Sequence, residues 1–325
     1  PVPHASPSAA ALSQPLAPPP PVEPEGDAEQ RQAVTADTGP VIVLAGPGSG
    51  KTRTLTQRIA YLIQQCGADS EQILAVTFTR RAAAEMRHRL QALLPAETVA
   101  GLHLGTFHRL ALDLMQLYEA PVYTVLDAWE SRQLLEVARQ EVGSTLRTPS
   151  LADDISRAKA AGLRPEDLVD QEQVRLVYTA YQEQLRLYRA WDYDDILLEC
   201  VAWLESTAVS LTSLQQRFPY LLVDEFQDVN AVQYRLVQIL AGAGRGLLVI
   251  GDPDQAIYGF RGANPAYFTT LRQAFPLARV IHLRTNYRST QTIVPPAQAV
   301  TARHTPPHPV PAPPRHPYLL DIPGE

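Results

Sequence analysis

The segment VIVLAGPGSGKT at residues 41–52 limits the fold more than any other stretch of the chain. Four apolar residues, Val41–Leu44, run into a turn with three glycines and then into a helical pattern over 51–65. Gly46, Gly48 and Gly50 permit the positive φ angles that a tight turn needs. The N–H groups of such a turn, Ser49 included, converge on phosphate oxygens at a helix N-terminus. Lys51 then reaches the β- and γ-phosphates of a nucleotide, and Thr52 sets its hydroxyl on Mg²⁺. The first position of the G-x-x-x-x-G-K-[ST] pattern is Ala45 here, a departure from the bare pattern. A chance glycine-rich turn is the competing reading, and the strand before it and the helix after it weigh against that.

The same alternation continues downstream. Unbroken apolar runs occur at Val41–Leu44, Ile73–Thr77, Leu102–Leu104, Leu221–Val223, Leu247–Ile250 and Val280–Leu283. Such runs suit strands covered on both faces. Helical patterns follow at 51–65, 80–94, 106–119, 231–241 and 265–275, so a parallel α/β sheet is expected. Residues 120–205 break the alternation. Val174, Val177, Tyr178, Tyr181, Leu185 and Tyr188 fall on one helix face, and Asp127 can cap another helix running to 142. This block reads as an all-helical insertion over 113–200, dividing an α/β domain into 26–112 and 201–294.

A second acidic element, LLVDEFQDVN at 221–230, brings two adjacent carboxylates to the C-terminal end of a strand, where α/β sheets bind ligands. Asp224 can hold Mg²⁺, and Glu225 can orient and deprotonate an attacking water. A helix-capping pair would look the same in isolation; the phosphate loop upstream favours the catalytic reading.

Net charge is −6, so any contact with nucleic acid needs a local basic patch. Residues 1–25 hold nine prolines and 295–325 hold ten, out of 29 in the chain. Both stretches are expected to be disordered tails. The interspersed prolines also argue against a metal site at His304, His308 and His316. Cys66 and Cys200 have no metal spacing and read as two buried thiols in a reducing compartment. No leader pattern and no run near ~18 apolar residues is visible, so a cytoplasmic protein is expected. The chain begins at Pro1, which suggests a fragment.

Several further segments carry a resemblance. They are AEQRQAV at 28–34, TFTRRAAAEMRHRL at 77–90, GTFHRLAL at 105–112, WDYDDIL at 191–197, GDPDQAIYGFRGA at 251–263 and LRTNYRST at 283–290. Together with the two acidic and glycine-rich segments, they make the chain resemble the UvrD/Rep/PcrA group of superfamily 1 DNA helicases over roughly 26–300. The resemblance implies a RecA-like P-loop NTPase domain that uses ATP and Mg²⁺. It implies that Gln30 reads adenine, that Arg53 and Tyr287 sandwich it, that Gln255 senses the γ-phosphate and that Arg288 contacts it. Phe78, Arg80, Thr106, His108, Tyr258 and Phe260 fall where the family faces single-stranded DNA. Aromatic stacking there needs no sequence readout. Arg80, Arg81, Arg87 and Arg89 are the densest basic cluster and suit a phosphate backbone. Core aromatics and a solvated helix face are the alternative. Phe260 stands where the family often has tryptophan, and Arg80–Arg81 where it often has Asn-Lys. Asp192, Asp194 and Asp195 read as helix-capping carboxylates, not a metal site.

The resemblance further implies ATP-driven 3′-to-5′ translocation on single-stranded DNA and unwinding at duplex junctions, in DNA repair or replication. The family's later motifs, near T-x-H-x-x-K-G-L-E and V-A-x-T-R-A, do not occur in these 325 residues. They belong to a second RecA-like domain, which the activity would need as partner. The alternative expectation is a helicase half that binds ATP and DNA without turnover.

Overall fold

The computed structural model describes residues 25–301 apart from 119, 121, 207–210 and 291. Eight strands lie within this span: β1 Val41–Ala45, β2 Ile73–Thr77, β3 His103–Thr106, β4 Thr124–Val125, β5 Ala190–Trp191, β6 Tyr220–Val223, β7 Leu247–Gly251 and β8 Arg279–Leu283. Six form one parallel sheet in the order β3-β2-β6-β7-β1-β8. Its register aligns Ile42 with Val249 and with Val280, and Leu74 with Leu221.

Side chains of a strand alternate between faces, so each apolar run supplies two cores at once. Ile42, Leu74, Val76, Leu221, Val223 and Val249 pack with helices Phe107–Leu117, Asp195–Ser206 and Ala231–Ala241 on one face. Val41, Val43, Ile73, Ala75, Leu222 and Ile250 pack with helices Lys51–Gln64 and Arg80–Gln91 on the other. Carboxyl ends of all six strands therefore meet along one edge, and the helices leave that edge open.

Helices Ala128–Glu141, Thr148–Ala160 and Glu172–Leu187 enclose a third core around Tyr178, Tyr181, Leu151 and Leu135. The short parallel pair β4–β5 joins the incoming and outgoing chain of this helical unit. The unit is narrower than 113–200. Helices Phe107–Leu117 and Asp195–Ser206 bury Leu114, Met115, Ile196 and Leu197 in a sheet core, so they belong to the α/β domain.

Four details differ from the sequence reading. Tyr188 is exposed, because its helix ends at Leu187 and Arg189 turns left-handed at φ 48°. Cys66 is exposed beyond the end of helix Lys51–Gln64, whereas Cys200 is buried. A helix spans Val294–Thr301, inside the stretch expected to be a tail. Pro295 and Pro296 fit there because the first helical turn needs no N–H donors. Finally, Gly46 does not adopt positive φ. It directly follows the strand, and its carbonyl accepts from Ser49 N and Oγ. Residues 1–24 and 302–325, with His304, His308 and His316, lie outside the described residues. No single helix among the described residues is long and apolar enough to cross a membrane.

Candidate nucleotide and nucleic-acid site

The phosphate loop sits at the end of β1. Gly48 and Gly50 are left-handed at φ 69° and 86°, which a side chain would resist. Helix Lys51–Gln64 starts at Gly50 without a side-chain cap. Among the described residues, the N–H groups of Gly50, Lys51, Thr52 and Arg53 have no acceptor. An uncapped first turn holds aligned donors and the positive end of the helix dipole.

The neighbouring strand ends face it. Lys51 Nζ lies 3.8 Å from Glu225 Oε2. Asp224 is anchored by its N–H to the Val76 carbonyl at 2.8 Å, and its Oδ1 accepts from Glu225 N at 3.0 Å. Glu225 is one of two non-glycine residues with positive φ among the described residues, at 48°. That conformation costs about 1 kcal/mol or more and persists where surrounding bonds impose it. Gln227 fixes the Glu225 side chain. Its Nε2 donates to Glu225 Oε2 at 2.9 Å, and its Oε1 accepts from Asp252 N at 2.9 Å. Gln255 Nε2 donates to Asp252 Oδ2 at 2.5 Å.

Burial, then the charge of Glu225, pushes the Asp224 carboxyl up to about 7. The same two causes push Asp228 up to about 6, and burial raises Asp252. The Lys51 ammonium opposes all three shifts. Asp228 Oδ1 is buried with no hydrogen-bond partner. No group of three or more His, Cys, Asp or Glu side chains gathers to hold a metal among the described residues, so a hard divalent ion here would rest on one or two of these carboxylates together with nucleotide phosphates.

Residues 284–288, following β8, close the other side. Asn286, which the sequence reading passed over, is the joint. Its Nδ2 donates to the Pro47 carbonyl at 2.7 Å, and its Oδ1 accepts from Arg288 N and Ser289 N at 2.8 Å. Tyr287 N donates to the Gly48 carbonyl at 2.8 Å. A Cβ at Gly48 would lie 2.6 Å from Arg288 Cβ, so only glycine allows this approach. The Tyr287 hydroxyl donates to Asp27 Oδ2 at 2.6 Å, and burial followed by that bond pushes the phenol up to about 12. Arg53 pairs with Glu25 at 2.8 Å on the exposed flank. Gln30 departs from its expected role. Its Nε2 donates to the Ser49 carbonyl at 2.8 Å and its Oε1 accepts from Asp27 N at 3.3 Å, so the amide braces the loop with one N–H and one lone pair already engaged.

At the β2–β3 end of the same edge lies an aromatic row. Phe78 and Tyr258 have ring centroids 4.8 Å apart, and Tyr258 and Phe260 6.1 Å apart. The Arg261 guanidinium stands 5.8 and 5.6 Å from the latter two rings. Phe260 is 69% exposed, which removes it from the core alternative. His108 stacks on Tyr193 at 3.9 Å, and burial followed by the nearby Arg80 charge pulls its imidazole down to about 4. Thr106 is not open to a ligand. It is buried and caps helix Phe107–Leu117 through Arg109 N. The basic cluster is smaller than expected. Arg87 donates to the Val99 and Leu104 carbonyls, and Arg89 pairs with Glu85 at 2.5 Å, which leaves Arg80 and Arg81 exposed and without an ion pair among the described residues. Asp192 and Asp195 cap each other's N–H groups at 2.9 and 3.0 Å, at the start of helix Asp195–Ser206. They also hold Lys159, which the sequence did not flag.

The model of the UvrD/REP helicase N-terminal domain matches residues 27–276. The chain belongs to this family. It is 38% identical over 286 residues to the ATP-dependent DNA helicase PcrA of Leuconostoc citreum, covering 84% of this chain and 38% of that protein. It is 38% identical over 301 residues to the ATP-dependent DNA helicase UvrD1 of Mycobacterium tuberculosis, covering 85% and 39%. A putative ATP-dependent DNA helicase of Bacillus subtilis, YjcD, is 34% identical over 293 residues, covering 85% and 38%. The chain thus spans 38–39% of the length of these relatives. Its parallel six-stranded sheet with helices on both faces is the RecA-like α/β architecture expected of a UvrD/REP helicase N-terminal domain.

Proposed function

We propose that this chain is the ATP-binding motor domain of an ATP-dependent DNA helicase that moves 3′-to-5′ on single-stranded DNA and unwinds duplex junctions. One observation carries the reading: Lys51, in the first turn of an uncapped helix, lies 3.8 Å from Glu225, and its charge acts on the buried carboxylates of Asp224 and Asp228 as well. Donors on one wall and carboxylates on the other suit a nucleotide phosphate bound together with Mg²⁺.

The first-turn N–H groups and Lys51 hold the phosphates, and Gly46, Gly48 and Ser49 shape the loop around them. Thr52 and Asp224 hold Mg²⁺, which when bound neutralises charge on the transferring phosphoryl group. Glu225 orients the attacking water and takes its proton; Gln227 fixes that carboxylate. Arg288 presents a guanidinium to the γ-phosphate from a segment already bonded to the loop. Gln255 reports on the phosphate through Asp252. Tyr287 and Arg53 flank the base, and Gln30 reads it only after its amide leaves the Ser49 carbonyl. Phe78, Tyr258 and Phe260 stack DNA bases, His108 lies beside them under Tyr193 as part of the same face, and Arg80 serves the backbone. A second RecA-like domain closes on ATP and gives translocation its stroke.

The test titrates fluorescent ADP with Mg²⁺ and fluorescent oligo-dT into the chain, Lys51→Ala and Tyr258→Ala. Lys51→Ala is expected to lose about 1.5–3 kcal/mol of nucleotide binding, and Tyr258→Ala about 1–3 kcal/mol of DNA binding. Unchanged affinities in both variants refute the assignment.

A further inference from the structure

Lys159 is a charge without a visible task. It lies on helix Thr148–Ala160 of the helical unit, with its side chain fully removed from solvent. Its ammonium is 2.6 Å from Asp192 Oδ2 and 2.7 Å from Asp195 Oδ1. Tyr178 and Tyr181 present ring faces at 5.7 and 5.1 Å, and the Tyr181 hydroxyl donates to Asp192 Oδ2 at 3.1 Å. Burial alone would lower the affinity of this amine for its proton, but the two carboxylates outweigh it and raise it. Buried ion clusters of this kind contribute little net stability compared with apolar packing. What they do impose is geometry, because each partner is costly to leave unpaired.

The geometry they impose is that of residues 191–195. Asp192 and Asp195 are the two ends of a reciprocal cap, and Tyr193 is held between them. Asp194 is fixed to the same helix by Ser156 Oγ at 2.6 Å. Tyr193 consequently stacks on His108, on helix Phe107–Leu117 of the α/β domain. The helix ends against the aromatic loop as well: a Cβ at Gly262 would lie 3.6 Å from Ala160 Cβ. Arg261, beside Tyr258 and Phe260, is close enough to Asp194 to act on its carboxyl.

We infer that Lys159 is a positioning residue for the single-stranded DNA face: through Asp192 and Asp195 it locks the 191–195 turn so that Tyr193 covers His108 beside Arg80. This inference rests on the DNA-binding reading above. It assigns the helical unit a part in DNA binding through its buried charge and not through its surface.

Two variants test it: Lys159→Met, and a neutral set combining Lys159→Met with Asp192→Asn and Asp195→Asn. The neutral set keeps both helix-capping oxygens and strands no charge, so it folds even where the single variant does not. The first readout is the His108 imidazole titration by NMR without DNA. The groups acting on it are Arg80 and, across the stack, Tyr193. With the stack lost, the midpoint is expected to climb from about 4 towards the ordinary 6.5. Removing the cluster's net negative charge would move it the opposite way, so a rise reports the geometry. The second readout is oligo-dT affinity, expected to fall roughly tenfold while fluorescent ADP affinity holds. A folded neutral variant with His108 still near its original midpoint overturns the inference, whatever the DNA affinity does. So does a moved midpoint with full oligo-dT affinity. If the parent chain itself fails to bind oligo-dT while His108 responds as expected, the DNA reading fails and the positioning by Lys159 stands.

Discussion

Asp224 should make the nucleotide-free domain less stable, and the size of that effect follows from its surroundings. Its carboxyl is buried and rises from 3.8 to about 7. The folded state therefore holds this proton more tightly than the unfolded chain. Stability is greatest below the unfolded value near 4, declines as pH rises to about 7, and stays low above it. A rise of about 3, at ~1.4 kcal/mol each, is about 4 kcal/mol of lost stability in alkaline solution. Asp224→Asn removes the charge and keeps the oxygen that accepts from Glu225 N. It also buries an NH₂ group, which costs about 1–3 kcal/mol if unpaired. The variant is thus expected to melt several degrees above the parent at about pH 8, at ~2–4 °C per kcal/mol. At about pH 5 only ~1–2 kcal/mol of that loss remains, because the folded parent keeps its proton while the unfolded chain has mostly released it, and the buried NH₂ offsets the remainder. The assay is thermal melting of both proteins at the two pH values in EDTA, repeated with Mg²⁺ and ADP. With ligand the order should reverse, because only the parent retains the carboxylate proposed to hold the metal. A gap between variant and parent that does not widen from pH 5 to pH 8 refutes the reasoning.

Asn286→Ala breaks the joint between residues 284–289 and the phosphate loop, removing the bonds to Pro47, Arg288 and Ser289. Fluorescent ADP affinity should fall by about 1–2 kcal/mol with oligo-dT affinity unchanged; equal losses of both would mean the fold itself has loosened. The 325-residue polypeptide alone is expected to be a weak ATPase in steady-state assays with and without oligo-dT. Lys51 and Arg288 lack the further arginine that, in the function proposed above, a second RecA-like domain contributes, and such a group is worth about 10³–10⁵ in rate; strong DNA-stimulated turnover by the monomer would contradict this.

Much of the sheet was legible because parallel strands covered on both faces have no polar alternation to hide them. All six apolar runs became strands of one sheet, and most of the family segments fell at their carboxyl ends; 28–34 forms a helix before β1, and 191–197 follows β5 of the small second sheet. The illegible parts are those decided by contacts between distant residues. Arg87 sits in an arginine-rich stretch, yet two carbonyls from the next helix and strand consume its guanidinium. Lys159 follows Arg157 in a polar helical stretch and looks solvated; its partners lie 33 residues or more downstream. Asp192 and Asp195 revealed their capping spacing but not the lysine they enclose. Gln30 showed its residue type but not that both ends of its amide are engaged.

Strand order explains why the segments work as one site although the chain visits them out of spatial order. Along the edge the order is His108 after β3, Phe78 and Arg80 after β2, Asp224 after β6, Asp252 after β7, the phosphate loop after β1 and Arg288 after β8. The nucleotide end and the aromatic end are therefore separated by β6 and β7. One segment crosses that gap. Residues 252–261 bear Asp252, whose N–H is held by Gln227, then Gln255, bonded back to Asp252, then Tyr258, Phe260 and Arg261. Gln227 also holds Glu225. A shift of Glu225 or Gln255 is expected to reach Tyr258, three residues beyond Gln255, through these bonds. Coupling between nucleotide and DNA then needs no long pathway through the core, because this single loop shares hydrogen bonds with the carboxylate cluster and ring contacts with the aromatic row.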